Sequence, residues 1–260
     1  MRKTSFGRQL GLLARRSVKR TFRDPGSVAP ALLVPLILFV LVSAGLEKAT
    51  HVKGFPTNTI WTFTLVIAFA NGAMVTVANT GQAVATDIEG GFINRLALTP
   101  MKSFALIVSQ LAGPLVLGLV QALVFLGVGL AAGARFEAGP LGAVVLVLIF
   151  LTAVLAFGAL GIFVGLRTGS GQAVQAIAPV MTVFLFLSSV NWPRNLITER
   201  WFYWIATANP LSYLVEGMRS VLITGWDKQA IALALCFSIP VFLVMVMASA
   251  LSLKTRLVRT

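Results

Sequence analysis

Residues 138–166 read AGPLGAVVLVLIFLTAVLAFGALGIFVGL and contain no Asp, Glu, Lys or Arg. As an α-helix this stretch is about 43 Å long, whereas the hydrocarbon core of a bilayer is about 30 Å thick. It lacks the alternation of a membrane β-strand and is far longer than such a strand. The stretch therefore predicts a membrane-spanning helix, in which each backbone hydrogen bond is satisfied internally.

Five further runs without charge predict five more spans. They cover residues 28–46, 59–86, 103–134, 168–193 and 229–253. Only 11% of the 260 residues are charged, against about a quarter in soluble domains. We therefore predict an all-α integral membrane protein whose six transmembrane helices lie within residues 27–253. The expected bounds of the helices are 27–46, 59–84, 103–132, 139–166, 172–192 and 229–253.

The distribution of Lys and Arg predicts how these spans are oriented. With the N-terminus inside, the inner segments hold 14 of the 21 basic residues. Because positive charge marks cytoplasmic loops, both ends, including the basic tail 254–260, are expected in the cytoplasm of a bacterial-type inner membrane. All five Trp and both Tyr then fall at the outer interface, which they favour. The net charge of +13 thus reflects topology, and no nucleic-acid partner is expected.

Residues 1–26 predict an amphipathic helix at the cytoplasmic membrane surface. One face carries Phe6, Leu10, Leu13, Ala14, Val18 and Thr21, and the opposite face carries Arg8, Arg15, Lys19 and Arg23. Such a helix can lie on anionic lipid, and the turn residues Asp24-Pro25-Gly26 are expected to end it. A disordered basic tail is one alternative. A cleaved signal peptide is another, but the prolines at 30 and 35 interrupt its apolar run.

Residues 193–228 are expected to form a re-entrant hairpin in the outer leaflet. The stretch 201–215 is apolar but too short to span, and Asn209-Pro210 breaks it. A helix lying on the surface is the alternative. Glu216 and Arg219 are three residues apart and are expected to pair on one helix face. Together with Asn209 and Pro210, this pair is predicted to form an outer gate.

The sequence contains none of the motifs that we associate with catalysis. It has no HExxH, no GxSxG and no GxxxxGK[ST] phosphate loop. The single histidine, His51, falls in a loop. The single cysteine, Cys236, falls within the last span and is expected to be a packing residue. The chain is therefore not expected to be an enzyme or to bind a metal or cofactor itself.

The inner loop reads TDIEGGFINRLALTP over residues 86–100. It resembles the loop of ABC-2 type permeases, the membrane subunits of one class of ATP-driven exporters, in which an acidic start leads into a short helix ending in Thr-Pro. Three other stretches resemble family motifs in the same order: Arg23-Asp24-Pro25, Asn209-Pro210-Leu211 and Glu216-Gly217-x-Arg219. The turn at residues 167–170 is most similar to the daunorubicin/doxorubicin-resistance branch. The sequence departs from many members by having Gly91-Phe92 instead of Gly-Thr.

This resemblance implies that the inner coupling loop, residues 85–102, receives work from ATP hydrolysis. It implies two copies of an ATP-binding subunit, which bind ATP and Mg, and a second permease chain, expected to be another copy. The residues expected at the ATPase contact are Asp87, Ile88, Glu89, Gly90, Phe92, Arg95, Thr99 and Pro100. The alternatives are an ATP-independent channel or carrier and a membrane anchor without a transport role.

Polar residues inside the predicted spans are candidates for a substrate pathway. They are Asn71, Asn79, Gln82, Gln110, Gln121, Gln172 and Gln175. Amides in lipid are costly unless they meet partners or water, so they either line a conduit or bond one helix to another. A pathway without fixed charge suits an amphipathic drug, antibiotic or lipid-like cargo that moves outward.

Overall fold

The computed structural model describes residues 6–52, 55–57, 59–93 and 103–259. In this part of the chain the regular structure is helical and contains no strand. Two 3₁₀ turns, Glu47–His51 and Arg194–Leu196, join longer elements. The α-helices in chain order are α1 (Phe6–Arg23), α2 (Pro25–Gly45), α3 (Ile60–Glu89), α4 (Ser103–Gln110), α5 (Ala112–Ala131), α6 (Gly139–Thr168), α7 (Gly171–Gln175), α8 (Ile177–Phe186), α9 (Arg200–Ala208), α10 (Pro210–Ile223) and α11 (Lys228–Arg259).

Five stretches among these are long and apolar enough to cross a membrane: α2, α3, α4 with α5, α6 and α11. The predicted span 172–192 instead forms the two shorter helices α7 and α8. Pro179 has no N–H to bond to the Gln175 carbonyl, and the helix is interrupted at Ala176. From Gly171 to Phe186 the segment measures about 24 Å, less than the hydrocarbon core. The all-helical, membrane-spanning class is confirmed, whereas a count of six full spans is not.

Helix α3 is the central element of the bundle. Most of its residues are buried, and it packs against α2, α5, α6, α7, α8 and α10. Glycines form its crossing with α6: a Cβ on Gly161 would collide with the Val77 carbonyl oxygen, and one on Gly165 would lie 2.6 Å from the Gly81 carbonyl oxygen. Small residues at such a crossing let two backbones approach closely, which favours helix association in membranes.

The C-terminal end of α3 extends beyond the predicted boundary of the second span at residue 84. Asp87 and Glu89 belong to the last turn of the spanning helix and not to a separate loop helix. Gly91, with φ of +67°, turns the chain away, in a conformation that glycine adopts without strain. The predicted coupling residues Arg95, Thr99 and Pro100 lie outside the described residues.

Helix α1 confirms the amphipathic helix predicted within residues 1–26, and one side of it packs on α4 and α5. Pro114 lacks an N–H, which leaves the Gln110 carbonyl without its helical donor. The buried Ser17 replaces that donor, because its Oγ donates to the Gln110 carbonyl (3.0 Å) and accepts from the Gly113 N–H (3.1 Å). The exposed side of α1 presents Arg8, Arg15, Leu12, Lys19 and Arg23.

The segment before α11 confirms the predicted helix break at Asn209-Pro210. Asn209 accepts a hydrogen bond from the Leu211 N–H (3.0 Å) and donates one to the Phe184 carbonyl (2.7 Å), which fixes the break against the end of α8. Helix α10 packs against α6 and α11, whereas α9 exposes Trp201 and Trp204. We call the end of the bundle that holds α9 and α10 the outer end, and the end that holds α1 the inner end. Helix α11 continues through the predicted tail to Arg259.

Candidate functional site

The carboxylate of Asp87 joins three helices at the inner end. Its side chain is only 5% exposed. Arg16 donates to both carboxylate oxygens (2.9 and 3.2 Å), Arg20 to Oδ1 (2.7 Å) and Gln110 to Oδ2 (3.0 Å). A buried carboxylate is tolerated when charged and polar donors surround it in this way. Asp87 therefore binds α1 and α4 to α3, and its burial does not fit the predicted direct contact with an ATP-binding subunit.

The residues after Asp87 reach the surface and form what we call the coupling patch: Ile88, Glu89, Gly90 and Phe92. Glu89 is exposed, and its Oε1 accepts a hydrogen bond from the Gly171 N–H (3.1 Å) at the start of α7. The guanidinium of Arg16 lies 3.6 Å from the centroid of the half-buried Phe92 ring. The same arginine thus contacts both the buried carboxylate and the accessible patch.

A cleft of about 110 Å³ opens between α1, α2, α3, the end of α4 and α5 in the inner half of the bundle. We call it the inner cleft. Four of the predicted pathway residues line it: Asn79, Gln82, Gln110 and Gln121. Apolar side chains, among them Ala31, Val75 and Leu117, complete part of the wall. The structure therefore brings four of the seven predicted amides to one site.

The other three predicted pathway residues lie elsewhere. Asn71 donates to the Ile67 carbonyl of its own helix (2.9 Å) and does not line the inner cleft. Gln172 and Gln175 are exposed on α7. In this single chain these three side chains do not extend the site formed by the other four.

The first two helices and the residue between them contribute polar residues to the cleft that the sequence did not predict. They are Ser17, Arg20, Thr21, Asp24 and Ser27. Their spacing of three or four residues places several on one stripe, which is the signal that could have found them. The sequence places Thr21 on the apolar face of α1, whereas its hydroxyl donates to the Ser17 carbonyl (3.1 Å) and lines the cleft.

At the outer end, Arg219 is buried and joins α10 to two other elements. Its two terminal nitrogens donate to the carbonyls of Ser189 (3.0 Å) and Val190 (2.9 Å), and its guanidinium lies 4.1 Å from the ring centroid of Phe63. Burial lowers the pKa of Arg219 to about 10, and Glu216 opposes this effect. The guanidinium thus remains charged at neutral pH and holds the turn after α8 against α10 and the start of α3.

The predicted ion pair between Glu216 and Arg219 is replaced by a different one. Nε of Arg194 lies 2.5 Å from Oε1 of Glu216, without the alignment of a good hydrogen bond. Arg219 lies on the buried side of α10 and donates to the carbonyls of Ser189 and Val190 instead. Burial raises the pKa of the Glu216 carboxyl, and the charges of Arg194 and Arg219 counteract the rise. Asn209, Glu216 and Arg219 all contact or approach the segment 184–194.

No group of His, Cys, Asp and Glu that could hold a metal ion occurs among the described residues. His51 is exposed in the 3₁₀ turn after α2. Cys236 is exposed on α11 in this single chain, and its expected role as a packing residue of the last span stays a prediction.

Comparison with known proteins gives consistent matches over most of the chain. The family model of the ABC-2 type transporter matches residues 8–223, from α1 to the end of α10. The chain is 27% identical over 230 residues to the putative transport permease ycf38 of Porphyra purpurea, covering 84% of this chain and 76% of that protein. It is 26% identical over 224 residues to the protein of the same name from Pyropia yezoensis, covering 83% and 74%.

Proposed function

Because the chain belongs to the ABC-2 type transporter family, we propose that it is the membrane permease subunit of an ATP-driven exporter. Permeases of this family normally work with an ATP-binding subunit. The sequence contains no phosphate loop, so in this proposal ATP and Mg bind to two copies of a separate subunit. A second copy of the permease completes the pathway.

The proposal is carried by the contrast between Asp87 and Glu89, which are two residues apart on α3. Asp87 is buried and bound to α1 and α4, whereas Glu89 is exposed at the end of the same helix. A soluble subunit that docks on the coupling patch therefore pushes on a helix end that is already joined to its neighbours. This is what a chain without its own ATPase requires to receive work.

In the proposed topology the inner end faces the cytoplasm of a bacterial inner membrane, with both chain ends inside. Helices α7 and α8 and the turn that follows them complete a sixth crossing. Helices α9 and α10 form a re-entrant hairpin in the outer leaflet. The exposed Trp201 and Trp204 on α9 support an interfacial position, which tryptophan favours.

The cargo in this proposal is an amphipathic drug, antibiotic or lipid-like molecule that moves outward. The mixed amide and aliphatic wall of the inner cleft supports this class of cargo. At the other end, Asn209, Pro210, Glu216 and Arg219, now joined by Arg194, form the outer gate, because they fix the turn after α8 to α10.

The test is to identify an ATP-binding subunit by its co-purification with the chain and to reconstitute both in vesicles. Glu89→Ala and Phe92→Asp should insert normally but weaken ATPase binding or uncouple hydrolysis from the export of an amphipathic dye. Glu47→Ala, which removes an exposed glutamate at the outer end, is the matched control.

Normal export in both coupling variants would refute the proposal. Dye movement that needs no ATP would indicate a channel or carrier, and a lack of movement in every condition would indicate a membrane anchor.

A further inference from the structure

The outward side of α1 carries a stripe of basic and apolar residues. Ser17, on the opposite side, is buried where α1 packs on α4 and α5. The exposed residues recur at intervals of three or four, which places them along one helix face: Arg8, Leu12, Arg15, Lys19, Phe22 and Arg23. In the described part of the chain, Arg15, Lys19 and Arg23 form no ion pair. These three cations are therefore available to an anionic partner.

A shallow groove follows this stripe, and we call it the basic groove. The residues that line it are Leu12, Arg15, Arg16, Lys19, Arg20, Arg23 and Asp24. The Asp24 carboxylate accepts a hydrogen bond from the Ser27 hydroxyl (2.6 Å), and the carboxylate of Asp87 is shared by Arg16 and Arg20. Two carboxylates against five basic side chains leave the groove positively charged. Such a surface attracts anions.

The start of α2 indicates where the basic groove lies relative to the bilayer. The membrane-spanning α2 begins at Pro25, two residues after Arg23. One end of the groove therefore lies at the border of the hydrocarbon core, where the lipid headgroups are located. Leu12 and Phe22 are 62% and 44% exposed beside the cations, and apolar side chains at this level can insert among acyl chains. A lipid surface therefore fits this face better than an acidic protein does.

We propose that the basic groove binds the phosphate of an anionic phospholipid in the leaflet at the inner end. Arg15, Lys19 and Arg23 bind the phosphate, because arginine and lysine form charge-assisted hydrogen bonds with phosphate oxygens. Leu12 and Phe22 lie among the acyl chains beside it. This lipid site goes beyond the proposed function, since it involves neither the cargo nor ATP.

The same phosphate is within the groove that Arg16 and Arg20 line, and these two arginines hold Asp87. Arg16 donates two hydrogen bonds to that carboxylate and Arg20 donates one, whereas a guanidinium has five N–H donors. Both side chains are partly exposed, so their remaining donors can bind a second anion. A bound phosphate should therefore strengthen the junction of α1, α3 and α4 and raise the Tm of the protein.

The binding test is native mass spectrometry of the full chain, without ATP, in micelles with equal amounts of phosphatidylglycerol and phosphatidylcholine. Both lipids contain a phosphate, but the choline group cancels its charge. Arg15→Gln and Lys19→Gln should each lower the ratio of bound phosphatidylglycerol to phosphatidylcholine about fivefold, the effect of one basic residue near a lipid surface. The matched control is Arg167→Gln, which removes an exposed arginine of α6 at the same end of the bundle and should leave the ratio unchanged.

Phosphatidylglycerol should also raise the Tm of the unaltered chain, and the double variant Arg15→Gln/Lys19→Gln should lose this rise. Equal lipid ratios for the groove variants and Arg167→Gln overturn the inference, because net charge alone would then explain the preference. An equal rise in Tm with inorganic phosphate also overturns it, since the groove would then bind phosphate without a lipid.

A third result would assign the face to a protein and overturn the inference as well. In that case the groove variants keep the lipid ratio of the unaltered chain but no longer co-purify with the ATP-binding subunit. Because lipid binding is measured without ATP, its failure is distinguishable from a failure of ATP-driven export.

Discussion

Replacing Asp87 by Asn removes a charge at constant size and tests the junction of α1, α3 and α4. One of the two carboxylate oxygens becomes an NH₂ group, which then faces donors of Arg16, Arg20 or Gln110. Breaking a fully buried ion pair costs about 3–5 kcal/mol, whereas an exposed pair contributes about 0–1 kcal/mol. The two arginines are 38% and 31% exposed and the aspartate 5%, so we expect an intermediate loss of about 2–3 kcal/mol.

The assay is thermal unfolding of the purified permease. A loss of this size should lower Tm by about 4–12 °C, at about 2–4 °C per kcal/mol for a chain of this length. The matched control is Asp24→Asn, an exposed carboxylate that accepts a hydrogen bond from Ser27, with an expected effect within about 0.5 kcal/mol. Adding Arg20→Met to Asp87→Asn should cost less than the sum of the single changes, because the two groups act as a pair. Equal Tm values for Asp87→Asn and Asp24→Asn would show that the junction contributes nothing.

Gly161→Ala should destabilise the protein by about 1–3 kcal/mol, because the new Cβ collides with a backbone carbonyl of α3, whereas Gly127→Ala, with nothing within 4 Å, should be tolerated in the same unfolding assay. Burial raises the pKa of Glu216 above its ordinary value of 4.5, so the folded protein holds this proton more tightly than the unfolded chain does. The free energy of unfolding should therefore fall as the pH rises above 4.5. Arg194→Gln removes a charge that lowers this pKa, so it should increase the loss of stability with pH, whereas Glu216→Gln should abolish that loss. A cysteine at position 79, introduced for Asn79 in a cysteine-free chain, should react with polar thiol reagents at a rate that depends on nucleotide, and constant protection would contradict access through the cleft.

The long spans were predictable because their cause is local. A run of some 20 residues without charge has few solutions other than a helix in lipid. The fifth predicted span shows where this argument stops, because hydropathy does not register the missing N–H of Pro179. That proline interrupts the helix between α7 and α8, and the two helices together end at Phe186, which leaves them too short to cross unaided.

The charged sites were only partly predictable, because their partners are distant in sequence. Asp87 was recognised as part of a motif, but the arginines that bury it are 71 and 67 residues away. For Glu216, helical spacing suggested Arg219, whereas the folded chain supplies Arg194 from a 3₁₀ turn. The spacing of residues predicts which side chains can pair on one helix, but it contains no information about side chains that belong to another element.

Helix α3 connects the two charged sites, and this constrains how work at one end can reach the other. Asp87 lies in its last turn and Phe63, on which Arg219 rests, in its first. A helix of this length transmits a push along its axis because its backbone hydrogen bonds resist compression. A displacement of the coupling patch must therefore either be taken up by sliding at the glycine crossing with α6 or move the Phe63–Arg219 contact. In the proposed transport cycle, both outcomes would alter the packing of α3, which is the buried helix that joins the two charged sites.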